Sequence, residues 1–384
     1  MVAARERYAR LDRRLRQKHH RLRAWHLLGS IGLVLTGLLV LGVVVLYPLF
    51  RPGKSVCRGP EHVAATPAAH PVDGTAARRL AERFAPIFVF SRGERFLPIP
   101  PQRFVALSDL YRKQPGLAAV FEGRAKLPTT ACGEGCHQYL DLRNGRSPRH
   151  DRARPYRVLQ RTKLAHAPAV VGYRVLRYDA KPSQFTVQYW LLSLFNSLFG
   201  DFHEGDLEEV TVHTEAGGGV RDVFDSEHVA GTVRRWGEGV EAQGARAVAY
   251  VAIGSHANYF TTGVKRTLAH CPPRRGEEDV TCDDFGGIAG DHADGCGEVW
   301  TWEGAGGVAA PRSWASCGSS GRGARRVVRY ALRPWADHPV YWGAPKKNIK
   351  RKTDWVGDPS TRGQLWTNAL AKIRRDACYS VGEE

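Results

Sequence analysis

The stretch SQFTVQYWLLSLFNSLFGDFHEGDLEEVTVHT, residues 183–214, decides the fold. Residues 183–194 have the aromatic and β-branched composition of a strand in the interior of a sheet. Residues 207–214 predict the next strand, and His, Glu and Asp are concentrated just before it. The stretch therefore predicts a β-sheet with a polar site at the start of one strand.

The polar residues of this stretch have the spacing His-x-x-Asp-x-Glu, formed by His203, Asp206 and Glu208. Side chains alternate between the two faces of a strand, so Asp206 and Glu208 are expected on one face. His203 can fold over them from the preceding loop. An imidazole and two carboxylates suit a divalent cation such as Ca²⁺, Mg²⁺, Mn²⁺ or Zn²⁺. The alternative is a solvated or ion-paired cluster.

Two further islands, Ser-Glu-His and Gly-Ser-His, each follow a predicted strand and add His228 and His256. Either histidine could be a metal ligand, a general base or a hydrogen bonder that fixes a loop. Ser226 and Ser255 precede them as further site candidates. Asn196 is expected to cap a turn, with an amide ligand as the alternative.

Catalysis at such a site would be metal-assisted hydrolysis, in which a cation lowers the pKa of a bound water. Glu204 and Glu209 are then the candidate general bases. A serine hydrolase with Ser226 or Ser255 as nucleophile is the other possibility. The chain contains no Gly-x-Ser-x-Gly elbow, which disfavours it.

These islands resemble the family of vacuolar protein sorting-associated protein 62 and its bacterial relatives. That family's pattern has a Tyr-Trp strand, an Asn, His-Glu-Gly-Asp-Trp-Glu, Ser-Gln-His and Gly-Ser-His-Ala. Leu207 replaces the Trp and Glu227 the Gln. The resemblance covers roughly residues 78–370 and implies a fold and a site rather than a reaction. The matching residues are Tyr189, Trp190, Asn196, 203–208, 226–228 and 254–257, with 80–87 and 94–98 upstream.

A shorter similarity links the same site to the necrosis- and ethylene-inducing peptide-like proteins. Their Gly-His-Arg-His-Asp-Trp-Glu heptad has the spacing of His203, Asp206 and Glu208. The similarity implies a divalent cation on a β-sandwich that engages sphingolipid headgroups at membranes.

The N-terminal region predicts a membrane anchor. Residues 1–26 form a basic tail, and 27–50 are almost wholly apolar, long enough at about 1.5 Å per residue to span a bilayer. Because the basic tail stays cytoplasmic, the chain is expected to be a single-pass protein of the plasma membrane with its C-terminal part outside. Residues 51–77 are a predicted linker, and 78–378 the exported β-rich domain. A cleaved signal peptide is the alternative.

The net charge of +18 is unevenly distributed. Residues 1–25 hold nine Lys and Arg against Glu6 and Asp12, which fits a topology signal or contact with anionic headgroups. No aromatic and basic platform of the RNA-binding type is present. We therefore expect membrane lipid and an envelope lipid or glycan as partners, and no nucleic acid.

The eight cysteines all lie on the predicted outer side, where up to four disulfides can form. Local candidates are Cys132–Cys136 and Cys271–Cys282, and Cys57–Cys378 would join the ends of the domain. Zinc bound by Cys132, Cys136 and His137 is the alternative for the first pair. The remaining cysteines are Cys296 and Cys317.

Many short strands with few long helices favour a mainly β fold. We expect a β-sandwich-like exported domain with disulfide-held loops, preceded by one transmembrane helix. Loops are expected over 126–156 and 271–325. Helices are predicted over 76–84 and 365–373. The other predicted strands are 87–90, 169–177, 220–224, 247–253 and 327–332.

Three functions follow from these features. The first is a membrane-anchored extracytoplasmic module that binds envelope lipid or glycan through a divalent cation. The second is a metal-dependent hydrolase of an envelope ester or phosphodiester. The third is a structural envelope protein whose polar islands hold loops together.

Overall fold

A computed structural model describes twelve segments of the chain. The predicted tail, the predicted transmembrane segment and most of the linker lie outside them, as do His228 and the predicted C-terminal helix. No helix within the described segments is long and apolar enough to cross a membrane. The described residues are 69–114, 116–128, 132–133, 136–143, 153–178, 181–198, 202–227, 230–265, 291–302, 309–318, 324–332 and 340–343.

The described residues are mainly β-strands, as predicted. The strands are β1 Ala69–Pro71, β2 Ile87–Phe90, β3 Ser108–Lys113, β4 Val120–Arg124, β5 His137–Leu142, β6 Val170–Tyr178, β7 Lys181–Asn196, β8 His203–Thr214 and β9 Val220–Glu227. The later strands are β10 Ala230–Arg235, β11 Ala242–Gln243, β12 Arg246–Val251, β13 Asn258–Tyr259, β14 Gly263–Lys265, β15 Asp291–Ala293, β16 Val299–Trp302, β17 Arg325–Leu332 and β18 Tyr341–Trp342.

The described helices are short. They are α1 Gly74–Phe84, α2 Pro101–Leu107 and α3 Arg154–Lys163, with a 3₁₀ turn at Arg312–Ala315. Helix α1 is amphipathic, since Ala77, Ala81 and Phe84 recur on one face and are fully buried.

Twelve of the described strands form one sheet in the order β10-β9-β8-β7-β6-β17-β16-β2-β12-β11, with β1 paired to β6 and β13 to β12. Strands β6 to β10 pair as antiparallel neighbours. Strand β17 is parallel to both β6 and β16, and β2 is parallel to β12. A β-sandwich has two separate sheets. Here β17 pairs with both β6 and β16 and so joins the two halves into a single sheet.

The main core lies on one face of this sheet. Its buried side chains come from both halves, including Val187 and Val210 from one half and Phe88 and Val251 from the other. Helix α1 packs against the same core. The two halves of the sheet therefore share this core. The side-chain amide of Asn258 on β13 also donates to the carbonyl oxygen of Glu209 on β8 at 3.3 Å.

A second sheet, β18-β5-β3-β4, covers the opposite face of β7 and β8. Trp190, Leu192 and Leu207 pack there against residues of that sheet such as Leu140 and Trp342. Both faces of β7 and β8 are thus buried, which explains the almost continuous apolar run over residues 189–195 of β7.

Two disulfides are present among the described residues. The predicted Cys132–Cys136 bond is confirmed, and no zinc site replaces it. A second bond joins Cys296 to Cys317, a pair that the sequence did not single out. The predicted pairs Cys271–Cys282 and Cys57–Cys378 lie outside the described residues.

The structure changes two expectations about loops. The stretch 126–156, expected as a loop, contains β5 and the first turn of α3. The stretch 271–325 contains β15 and β16. Strand β1 and the first turn of α1 also lie within the predicted linker, because β1 pairs with β6 there.

Candidate functional site

Strand β8 carries five of the predicted site residues and is buried along its whole length. It pairs with β7 on one side and β9 on the other. Val210 and Val212 face the main core. Asp206 and Glu208 have the same parity along the strand, so the prediction that they share a face agrees with the register.

Gly205 interrupts the alternation at the start of β8. Its φ is +68°, a left-handed conformation that suits glycine, and a Cβ there would lie 1.6 Å from the carbonyl oxygen of Trp342. The residue before it, Glu204, consequently bonds to the α3 side of the sheet, whereas Asp206 after it turns to the other side. One glycine therefore directs the side chains of Glu204 and Asp206, two residues apart in sequence, to opposite sides of the sheet.

The centre of the polar cluster is His256, in the turn after β12. Its Nδ1 donates to Oδ2 of Asp206 at 2.7 Å, and its Nε2 lies 3.4 Å from Oε1 of Glu94. The second contact has an ion-pair distance but poor hydrogen-bond alignment. All three side chains are at most 3% exposed.

Glu94 belongs to the loop after β2 and ties several backbone segments together. Its Oε2 accepts from the amide of Gly254 at 2.7 Å, and its Oε1 accepts from the amides of Arg95 and Phe96 at 2.6 and 2.7 Å. Burial alone would raise the pKa of Glu94, but the charge of His256 and these hydrogen bonds lower it to about 2.

Burial alone would lower the pKa of His256, but the carboxylates of Glu94 and Asp206 raise it to about 10. The ring is therefore an imidazolium between two carboxylates. His256 also has a φ of +58°, which a non-glycine residue adopts only where its surroundings hold it.

His203 lies at the edge of this cluster. Its Nε2 is 3.8 Å from Oδ1 of Asp206, too long for a hydrogen bond, and its Nδ1 is 3.2 Å from the carbonyl oxygen of Glu204. The side chain is 4% exposed. Of the predicted cation ligands, His203, Asp206 and His256 are thus brought together.

Glu208 is used differently. Its Oε2 accepts a short hydrogen bond from the hydroxyl of Ser226, and that hydroxyl accepts from the amide of Glu209 at 2.7 Å. The side-chain amide of Gln188 lies 3.4 Å from the carboxylate of Glu209. These contacts join β7, β8 and β9 where the β8–β9 ladder ends.

Glu204, a candidate base, holds the second sheet in place. Its Oε2 accepts from the amide of Leu142 at 3.0 Å and its Oε1 from the hydroxyl of Tyr156 at 2.7 Å. Neither contact leads to His203 or Asp206. The geometry of Glu204 therefore fits a structural acceptor better than a base.

Asn196 caps a turn, as expected, because its Oδ1 accepts from the amide of Leu198 at 2.9 Å. The amide of Ser197 then donates to the carbonyl oxygen of Gly254 at 2.8 Å, so the β7 turn meets the His256 turn. The hydroxyl of Ser255 is buried and has no hydrogen-bond partner among the described residues.

Within the described residues no group of three or more His, Cys, Asp or Glu has the geometry of a metal site, and His228, one of the five predicted ligands, lies outside those residues. His256 is an imidazolium paired to two carboxylates, and Glu208 is bonded to Ser226. What fits a cation is the pair His203 and Asp206. Two ligand atoms of one ion are separated by roughly 3–4 Å. The distance of 3.8 Å between Nε2 of His203 and Oδ1 of Asp206 falls in that range.

Sequence reasoning missed Glu94 as a member of the cluster. It lies 112 positions before Asp206 in the chain and is brought close only because β2 and β12 are parallel neighbours. The signal available was the stretch 94–98, which belongs to the resemblance noted above and carries one acidic residue.

No family model matches the chain, and no curated protein matches it. The resemblance to the family of vacuolar protein sorting-associated protein 62 therefore gains no support. Solved structures of the necrosis- and ethylene-inducing group are similar to this chain at low identity.

Two such structures illustrate the level of similarity. One is titled "NLPPya in complex with mannosamine"; it is 17% identical, with 53% of this chain and 76% of that chain covered and a TM-score of 0.29. The other, "Toxin fold for microbial attack and plant defense", is 18% identical, with 54% and 77% covered and a TM-score of 0.27. Similarity at this level assigns neither activity nor site residues.

Proposed function

We propose that this protein is a binding module for an envelope lipid or glycan, held at the membrane by residues 27–50, and that a divalent cation between His203 and Asp206 contacts the ligand. The observation that supports it is the buried pair of Nε2 and Oδ1 at 3.8 Å. The second oxygen of Asp206 is held by His256. That contact fixes the direction of the first oxygen.

The chemistry of the pair decides what such a cation would do. One imidazole and one carboxylate leave most coordination positions of Ca²⁺, Mg²⁺, Mn²⁺ or Zn²⁺ to water or a ligand. Phosphate oxygens and sugar hydroxyls are suitable ligands for these positions. Binding therefore suits the pair better than hydrolysis, for which Glu204 is turned away.

The test is the metal content and thermal shift of the full-length chain, with His203→Ala and Asp206→Asn as variants. A matched control is Thr211→Val, a buried position further along β8. We expect one stoichiometric cation in the wild type and the control and none in the two variants. No bound cation, and no shift with any of the four ions, would refute the proposal.

The ligand is then sought with vesicles of anionic or zwitterionic lipid and with soluble envelope oligosaccharides, each with and without a chelator. Binding that a chelator abolishes is expected for one of the two classes. Turnover of model esters and phosphodiesters in the same samples would instead favour the hydrolase.

A structural role is a second candidate, favoured by one observation. Glu94, Asp206 and His256 join the loop after β2, strand β8 and the turn after β12 through charged contacts. A chain that loses stability in His203→Ala, and whose stability does not respond to any cation, would support this role.

A further inference from the structure

A cleft apart from the polar cluster opens between the C-terminal half of α3 and the large sheet. Its volume is about 240 Å³, and its apolar walls include Leu97, Ile99, Leu164 and Trp300. None of the residues of the polar cluster lines it. The cleft is larger than the roughly 150 Å³ cavity that accommodates a benzene ring. It is just below the roughly 300 Å³ at which drug-sized sites begin.

The rim of the cleft is positively charged. Arg161 and Arg326 both line it, and none of its described lining residues is acidic. Arg326 is bound to Glu298 through two contacts of 2.9 and 3.0 Å, which neutralise much of its charge. Arg161 has an exposed side chain, and among the described residues it donates to the carbonyl oxygen of Arg157, at 3.3 Å. Arg161 is thus the cation best able to take a new anionic partner.

Gln160 adds an independent polar group. It lines the cleft next to Arg161, and its buried side-chain oxygen has no hydrogen-bond partner among the described residues. A buried amide without a partner is uncommon and calls for an explanation. An anionic ligand would supply one, because a carboxamide turned by 180° places its NH₂ donor at the same point.

We propose that this cleft binds a small organic anion with an apolar body, in which a ring or short acyl chain packs on the partly exposed side chains of Leu97 and Ala169. Its carboxylate or phosphate lies at the rim beside Arg161 and Gln160. The volume excludes a whole diacyl lipid, so the ligand is either a free small acid or the charged end of a single acyl chain. This site is independent of the proposed cation site.

The probe is 4-fluorobenzoate, followed by the broadening of its fluorine resonance with the full-length chain. Arg161→Ala should weaken binding about tenfold or more, the loss expected for one charge-assisted hydrogen bond. Arg326→Ala should weaken it less, because Glu298 already pairs that charge. Ala167→Trp, which fills the cleft, should abolish it. Benzyl alcohol and benzylamine should fail to compete.

Matched controls are on the same helix. Arg154→Ala removes an exposed arginine of α3 that does not line the cleft, and Val158→Trp adds bulk at an exposed position of α3. Both should bind as the wild type does. Equal binding by Ala167→Trp and the wild type, or by Arg161→Ala and the wild type, would overturn the proposal. Competition by laurate but not by hexanoate would identify an acyl chain as the source of the anion.

Discussion

At the scale of single residues, His256 is the position where backbone and side chain depend on each other. Its left-handed backbone, with φ at +58°, brings the ring between Glu94 and Asp206. Two buried carboxylates with no cation between them would repel each other, and each would be costly to bury alone. The ring therefore stabilises three chain segments at once.

His256→Asn tests this dependence. Asparagine tolerates the left-handed conformation better than most residues, so the change mainly removes the imidazolium. Because it leaves two buried carboxylates unpaired, we expect the free energy of unfolding to fall by about 3–5 kcal/mol, measured by urea denaturation. Ser255→Ala, the neighbouring buried residue, should change it by less than about 1 kcal/mol. Equal stability of the two variants would contradict the charged-cluster interpretation.

Asp222 gives a second residue-scale prediction, through pH. Burial would raise its pKa, but hydrogen bonds and charges from His213 and Arg221 lower it from 3.8 to about 2. A carboxylate with a depressed pKa contributes stability that is present above pH 3.8 and is lost as the pH falls towards 2. Asp222→Asn should therefore lower the free energy of unfolding by about 2 kcal/mol near neutral pH. The difference in this free energy from the wild type should shrink below about pH 4.

The measurement for Asp222 is urea denaturation of both proteins across the acidic range. Glu215→Gln, an exposed carboxylate in the turn that follows β8, is the control and should show no such convergence. A difference between wild type and Asp222→Asn that stays constant down to pH 2 would show that charge is not its cause.

At the scale of elements, Gly205 shows how one residue directs a whole strand. Any Cβ at this position would overlap the carbonyl oxygen of Trp342 on β18, and the φ of +68° strains other residues. Gly205→Ala should therefore lower the free energy of unfolding by at least about 3 kcal/mol. Gly217→Ala is the control, since nothing lies within 4 Å of its Cβ. A mild effect at Gly205 would mean that β18 can move away.

Composition and alternation predicted the strands well because their signals are local. The aromatic and β-branched run that became β7, and the shared face of Asp206 and Glu208, both follow from short-range rules. The opposite direction of Glu204 depends on one left-handed glycine, and the pairing of Glu94 with His256 depends on a parallel strand pair distant in sequence. The presence of a glycine does not fix its φ, and the distant strand pair has no short-range signal, so the site was predicted only in part.

At the scale of the whole molecule, the two disulfides should contribute unequally. Cys132 and Cys136 are separated by four positions, whereas Cys296 and Cys317 are separated by 21 and lie in a buried cluster with Trp314. In the chain-entropy account, removing the disulfide that closes the longer loop lowers the free energy of unfolding by about 3 kcal/mol. Removing the other disulfide lowers it by about 2 kcal/mol. Lost packing adds to the first figure because Cys296 and Cys317 are each 6% exposed.

Paired alanine variants of each disulfide, compared by urea denaturation under oxidising conditions, measure this difference. We expect the Cys296→Ala, Cys317→Ala protein to be the less stable of the two. The reason is that this bond links the segment between β15 and β16 to the 3₁₀ turn, on the outer side of β2 and β12. The same strands lead directly into the Glu94 loop and the His256 turn. If the disulfide supports the Glu94 loop and the His256 turn, its loss should also reduce the thermal shift that an added cation produces in the full-length chain. An unchanged response in a destabilised variant would show that the cluster is held by its own charges alone.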